Sequence, residues 1–206
     1  MAPEMKVETI KTVAVLGLGT MGHGITHVFA AAGYRVRGFD DVQAARDSLL
    51  ERCERNLRQM ADAGVVGTQK IKPTLARIRV FPTEEEAVTG AQFVLEAVRE
   101  DLPTKQALFK RLEKVVSPTT ILASNTSTFP MTKIAARLTH PGRCVDMHWF
   151  NPPHIVPVVE VVPGKRTSPQ TVKATLALAA RIGKVPVHVR QEIPGFIVNR
   201  VQAAMI

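Results

Sequence analysis

Residues 148–160, HWFNPPHIVPVVE, place a histidine at one end and a glutamate at the other of a stretch otherwise nearly free of charge. Histidine titrates near neutrality, so His148 could take a proton from a substrate hydroxyl or return it. A carboxylate on the second ring nitrogen, here Glu160, would fix the tautomer and balance the imidazolium as it forms. Apolar neighbours would exclude water and strengthen that coupling. The same two residues could instead be a histidine packed beside Trp149 and Phe150 and a glutamate pointing outward from an edge strand. The elements around them separate the two readings.

A second constellation lies near the start. Gly17, Leu18, Gly19, Thr20, Met21 and Gly22 form GLGTMG, a match to G-x-G-x-x-G. The pattern alone is weak, but here it follows the apolar run TVAVL and opens a helical stretch that closes on Gly33. The next strand, YRVRGFD, ends in Asp40, which is the context a dinucleotide fingerprint requires. Gly17 permits the tight turn, Gly19 lets backbone approach a pyrophosphate, and Gly22 allows close helix–strand packing at a helix N-terminus. Asp40 would accept from the ribose hydroxyls and repel a 2′-phosphate, which favours NAD over NADP. Arg35 and Arg37 lie within the strand and do not form a phosphate clamp.

Those residues must be positioned by a regular framework. Strand patterns at TVAVLG, YRVRGFD, RIRVF, QFVLEAV, TTILASN, RCVDMH, VPVVEVV and VPVHV alternate with helical patterns. The expected class is α/β, a Rossmann-type doubly wound sheet, mainly parallel, with a helical excursion. One long helical region is expected over 42–63 and an irregular tip over 64–73. LPTKQALFKRLEKVV reads as an amphipathic helix with Pro103 in its first turn. Residues 1–192 form the expected NAD-binding domain. Residues 193–206, a Pro-Gly turn and about three turns of helix by helix geometry, read as the first helix of a C-terminal all-α domain cut short.

Composition narrows the function classes. The chain has 206 residues, 45% hydrophobic and 22% charged, as in an ordinary globular protein. Its net charge of +9 is spread along the chain, with one Trp and one Tyr, so neither a nucleic-acid surface nor a single-strand stacking platform is expected. No membrane span or secretory signal is seen. Cys53 and Cys144 stand far apart without ligand spacing, which reads as reduced thiols in a cytoplasmic protein without a structural metal.

With these motifs in hand, the chain resembles the NAD-binding domain of the 3-hydroxyacyl-CoA dehydrogenase family. The resemblance runs over residues 10–206 and rests on GLGTMGHGI, LEAVREDLPTKQALFKRLEKVV, ILASNTST, HWFNPPHIVPVVEVV and PGFIVNR in that order. It implies reversible NAD-dependent oxidation of the 3-hydroxyl of an L-3-hydroxyacyl-CoA. His148 would be the catalytic histidine and Glu160 its paired acid. Ser127 would lie near the substrate hydroxyl and nicotinamide, and Asn199 would help position substrate. Glu100 and Lys105 would contact cofactor and substrate, with Asn125 on the same cofactor-lining loop. Taken alone, Ser127 could cap a helix, Asn199 could be an exposed helix residue, and Glu100 and Lys105 could pair on the surface. The double proline of HWFNPPH also resembles relatives acting on sugar acids or other small 3-hydroxy acids, the gulonate dehydrogenase and lambda-crystallin branch. Full-length members dimerise through a C-terminal helical domain, so this chain is expected to be monomeric or to need a partner chain. A non-catalytic dinucleotide-binding module is the competing class. Arg46, Arg52, Arg55, Arg58 and Lys70 of the excursion could meet phosphates, although a solvated helix face is favoured.

Overall fold

The computed structural model describes residues 7–193 and 195–205. The apolar run at Thr12–Leu16 is strand β1, buried along its whole length. Helix α1 (Gly22–Ala31) follows, and Gly33 ends the turn after it at φ 95°. Strand β2 (Arg35–Phe39) leads to α2 (Gln43–Asp47), α3 (Leu49–Asp62) and α4 (Ile71–Leu75). Strand β3 (Ile78–Val80), α5 (Glu84–Val88), β4 (Phe93–Glu96) and α6 (Leu102–Val115) come next. Then follow β5 (Ile121–Ser124), α7 (Met131–Ile134), β6 (Cys144–Trp149) and β7 (Val158–Pro163). Helix α8 (Pro169–Arg181), strand β8 (Val185–His188) and α9 (Val198–Ala204) complete the order.

The strands form one sheet in the order β3-β2-β1-β4-β5-β6-β7-β8. Among the described residues only β6 and β7 pair antiparallel. Helices cover both faces, so the central strands are apolar on both sides and read as continuous runs. Residues of α1, α3 and α8 pack on one face with Val13, Val15, Met147 and Val161. Residues of α5, α6 and α7 pack on the other with Ala14, Leu16, Val94 and Leu122. The expected doubly wound α/β class is the observed one.

Three local expectations are refined. The helical region over 42–63 is made of two helices, α2 and α3, separated at Ser48. There the Ser48 hydroxyl donates to Ala44 O at 2.6 Å and the Arg52 guanidinium donates to Ala45 O at 2.7 Å, so side chains compete with the helix for its carbonyls. The irregular tip over 64–73 holds a 3-10 turn at Thr68–Lys70 and the start of α4, which buries Ile71 and Thr74. Pro73 sits in the first turn of α4, where its missing N–H costs nothing. The last helix is shorter than three turns, because Phe196 takes a left-handed φ of 49° and α9 starts only at Val198. The turn foreseen at Pro194 and Gly195 falls partly outside the described residues, as does Pro194 itself.

Among the described residues no helix is long and apolar enough to cross a membrane, and no group of three or more His, Cys, Asp or Glu could hold a metal ion. Cys53 and Cys144 are buried free thiols, and burial pushes both up to about 12.

Candidate active site

The strand order 3-2-1-4 reverses direction between β1 and β4, and ligands of open α/β sheets bind beyond the strand ends at such a switch point. A cavity of about 500 Å³ lies there, lined by Gly17, Gly19, Asp40, Asp41, Val98, Arg99 and Thr104 among others. Gly17 has φ 87°, and a Cβ on it would lie 2.5 Å from Ala97 O, so the tight turn admits glycine alone. A Cβ on Gly22 would fall 1.7 Å from Gly17 O, which accounts for the third glycine. Nothing comes within 4 Å of a Cβ built on Gly19, leaving its backbone open to a ligand. Thr20 is exposed and Met21 half-buried at the head of α1.

Asp40 closes this loop from β2. Its Oδ2 accepts from Leu18 N at 2.6 Å and its Oδ1 from Val42 N at 2.8 Å. Each oxygen keeps a lone pair for a ribose hydroxyl. The Leu18 amide is thus committed to Asp40, and the Leu18 side chain is buried against Gly38. Leu18 therefore shapes the loop, and the bare backbone of Gly19 faces the cavity. These features fit a dinucleotide.

The second centre grows from β6 and β7. Met147, Trp149, Val159 and Val161 point into one core, so strand alternation sends His148 and Glu160 to the opposite face. The two are directly opposed in the antiparallel register. His148 Nδ1 lies 2.8 Å from Glu160 Oε2, with His148 4% exposed and Glu160 0%. The surface reading of this pair does not hold; histidine and carboxylate are buried against each other. Glu160 Oε1 accepts from Ile197 N at 3.0 Å and Val198 N at 3.1 Å. Burial acts to raise the Glu160 carboxyl, but the hydrogen bonds from His148, Val198 and Ile197 together hold it below the usual range. Phe150 and Phe196 wall the imidazole, with ring centroids 4.6 and 5.4 Å away.

Between the two centres lie the ends of β4 and β5. Glu100 Oε1 accepts from the Ser127 and Thr128 amides, each at 3.2 Å, and from the Thr126 hydroxyl. Ser127 is half-buried on the loop that this carboxylate holds. Asn125 Oδ1 accepts from Trp149 N at 2.8 Å, tying the same loop to the strand that carries His148. Asn199 is half-buried in the first turn of α9, next to the amides that Glu160 binds.

Lys105 differs from its expected surroundings. It is 1% exposed on α6, its Nζ 2.6 Å from Glu96 Oε1 and 3.1 Å from Glu100 Oε2. Lys105 does pair with the exposed Glu100, but the lysine itself is buried, and its closer partner is the buried Glu96, which the sequence reading does not include. Burial pushes the Glu96 carboxyl up, while Lys105, the Ser124 hydroxyl and the Val98 amide pull it back. An acid ending a strand of otherwise buried residues, FVLE, was the available signal. Asp146, two residues before His148 on the same strand face, was also missed. Burial, with Glu192 and Glu96 nearby, holds its carboxyl well above the usual range.

Of the remaining histidines, His27 is buried with its ring 5.3 Å from that of His154. Burial, aided by His154, His23 and Lys184, pushes it down to about 3. The unfolded chain takes this proton near the ordinary value of 6.5, so stability is full above that pH and falls as pH drops toward 3. The expected loss is on the order of 1 kcal/mol per pH unit over that window. Urea titrations at descending pH should show it in the parent chain and show a shallower fall in His27→Gln; equal slopes would count against it.

Against known proteins, residues 12–193 match the family of the 3-hydroxyacyl-CoA dehydrogenase NAD-binding domain. The chain is 37% identical over 199 residues to 5-formyl-3-hydroxy-2-methylpyridine 4-carboxylate 5-dehydrogenase of Mesorhizobium japonicum, covering 96% of this chain and 63% of that protein. It is 35% identical over 195 residues to the human lambda-crystallin homolog, covering 94% of this chain and 61% of that one. The crystal structure of (S)-3-hydroxybutyryl-CoA dehydrogenase PaaH1 from Ralstonia eutropha superposes with a TM-score of 0.90 at 32% identity, covering 96% of this chain and 69% of that chain. The chain thus spans about three-fifths of the length of the two curated relatives. Glycine turn, switch-point cavity and matching family agree, and the chain belongs to the 3-hydroxyacyl-CoA dehydrogenase family through its NAD-binding domain.

Proposed function

We propose that this chain carries the site for reversible oxidation of the 3-hydroxyl of an L-3-hydroxyacyl-CoA to the ketone, with His148 as base and Glu160 as its partner. The observation that supports this most is the buried 2.8 Å contact between His148 Nδ1 and Glu160 Oε2. With Nδ1 engaged, Nε2 is the nitrogen left to take the hydroxyl proton. Glu160 stays ionised and stabilises the imidazolium that results. In the reverse direction His148 returns the proton to the ketone oxygen. NAD, when bound, supplies the hydride acceptor. Gly17, Leu18, Gly19, Thr20, Met21 and Gly22 form its phosphate turn, and Asp40 takes the ribose hydroxyls. Ser127 and Asn199 orient the substrate hydroxyl. Glu100 and Asn125 shape the loop beside the nicotinamide, and Lys105 holds Glu100.

A second reading, a small 3-hydroxy acid or sugar acid as substrate, has its own support. The arginines of the helical excursion are already engaged within the protein. Arg46 donates to Asp40 O, Arg52 to Leu18 O, Arg58 to Glu54, and Arg55 lies 4.0 Å from Glu51. Acetoacetyl-CoA and a 3-keto sugar acid, offered separately with NADH, decide between the two. The thioester is the expected substrate; turnover of the sugar acid alone would transfer the assignment to the second reading. NADH binding without turnover of either would favour a non-catalytic dinucleotide module.

The cofactor assignment has its own test. Asp40→Ser removes the acceptor and the charge facing the ribose, and is expected to weaken NADH binding roughly tenfold and narrow its advantage over NADPH. An unchanged preference in fluorescence titrations with the two cofactors would contradict the role given to Asp40.

A further inference from the structure

The turn before α9 holds both members of the acid–base pair at once. Phe196 is a bulky aromatic residue at φ 49°, a left-handed conformation that normally falls to glycine. Such strain persists only where the surroundings impose it, and it gathers at functional sites. Here it has a visible consequence. The chain reverses at Phe196, so that its ring, 1% exposed, lies 5.4 Å from the His148 ring at an interplanar angle of 57°. The next two amides, Ile197 and Val198, both reach Glu160 Oε1. An ordinary right-handed residue at 196 would send either the ring or the amides elsewhere. Phe150 stands across the imidazole at 4.6 Å and 65°. The imidazole is therefore fixed by two aromatic rings and, at Nδ1, by Glu160.

We propose that Phe196 is a positioning residue for the His148–Glu160 pair: its ring holds the imidazole in the orientation that keeps Nδ1 on Glu160 and turns Nε2 toward substrate. The role rests on the assignment of His148 as base but is observable without turnover. The ring also packs with Val162 and Val189, so a purely structural role is the competing account. The two differ in what happens to the Nδ1 proton. A ring that merely fills space can be removed at a cost in stability while the His148–Glu160 hydrogen bond survives. A ring that orients the imidazole cannot.

Phe196→Gly separates the ring from the backbone, because glycine adopts the left-handed turn freely and keeps the two amides on Glu160. In proton NMR of the full chain, the His148 Nδ1–H resonance is expected to be sharp and far downfield in the parent chain. It should broaden or vanish in Phe196→Gly while the Ile197 and Val198 amide shifts stay in place. Phe196→Tyr, which retains the ring, should restore it. Phe196→Leu, which keeps apolar contact with Val162 and Val189 without a flat face, gives the same readout if the glycine variant does not fold. In turnover, kcat should fall roughly tenfold or more with KM and NADH affinity nearly unchanged, as expected for a misplaced base. An unshifted, sharp resonance in folded Phe196→Gly or Phe196→Leu would overturn the proposal. A parent chain that binds NADH and shows the resonance, yet reduces no ketone, would count against the dehydrogenase reading and leave the positioning result standing.

Discussion

His148→Gln is expected to slow hydride transfer by roughly a thousandfold while NADH binds as tightly as to the parent chain. Glutamine approximates the length of histidine and can still donate a hydrogen bond to Glu160, so the charge of that buried carboxylate stays partnered. It cannot accept a proton at neutral pH. The variant therefore isolates proton transfer from packing and from loop geometry. The cofactor cavity is lined by Gly17, Asp40 and Arg99, residues of β1, β2 and β4 ends, and His148 is not among them. A large loss of NADH affinity in His148→Gln would mean that the pair supports the cofactor site, and the acid–base role would fall. Kinetics at saturating cofactor and a fluorescence titration of NADH make the check.

Lys105→Met carries the largest expected cost in stability, about 3–5 kcal/mol, because it leaves a buried charge without its partner. Glu96 is fully buried and Lys105 Nζ is its nearest cation at 2.6 Å. Methionine fills the same volume but gives Glu96 nothing. The carboxylate must then either stay charged in the interior or take a proton. The same lysine holds Glu100 Oε2, whose other oxygen organises the amides of Ser127 and Thr128. The loop should loosen as well as the core. Pairing the change with Glu96→Gln removes the orphan charge and should recover more than half of the loss. Urea denaturation of the parent, Lys105→Met and the double variant is the measurement. A Lys105→Met variant within about 1 kcal/mol of the parent would show that the network is not the interior strut its geometry implies.

Much of this was legible in the residues because it depends on local pattern. The glycine turn needs three bare Cα positions at a fixed spacing, and the GLGTMG loop supplies them where the contacts around Gly17 and Gly22 demand them. The sequence marks His148 and Glu160 as a candidate pair, but a surface placement fits the local pattern as well. Only the β6–β7 register, set by contacts across the sheet, makes them directly opposed and buried. What was missed depends on long-range placement. The burial of Lys105 follows from how α6 packs over the end of β4, which no periodicity within α6 reveals. The grip of Glu160 on the turn before α9 joins residues 37 and 38 positions apart. The break at Ser48 depends on Arg52 reaching back to Ala45 O. Besides Glu96 at the end of FVLE, a second omission had a local signal: Thr83, followed three residues later by Glu86, is a capping pattern, and Thr83 does accept from Glu86 N at 3.2 Å to start α5.

Hydride exchange between a bound nicotinamide and a 3-keto substrate, with His148 as the proton donor, leaves a signature in isotope transfer. The purified chain would be incubated with NADH deuterated at the transferable position of C4 and with acetoacetyl-CoA, and the product examined by mass spectrometry. Deuterium is expected on the carbinol carbon of the 3-hydroxyacyl product, with the label lost in His148→Gln. Bound cofactor with no label in any product, or equal labelling by parent and variant, would contradict it.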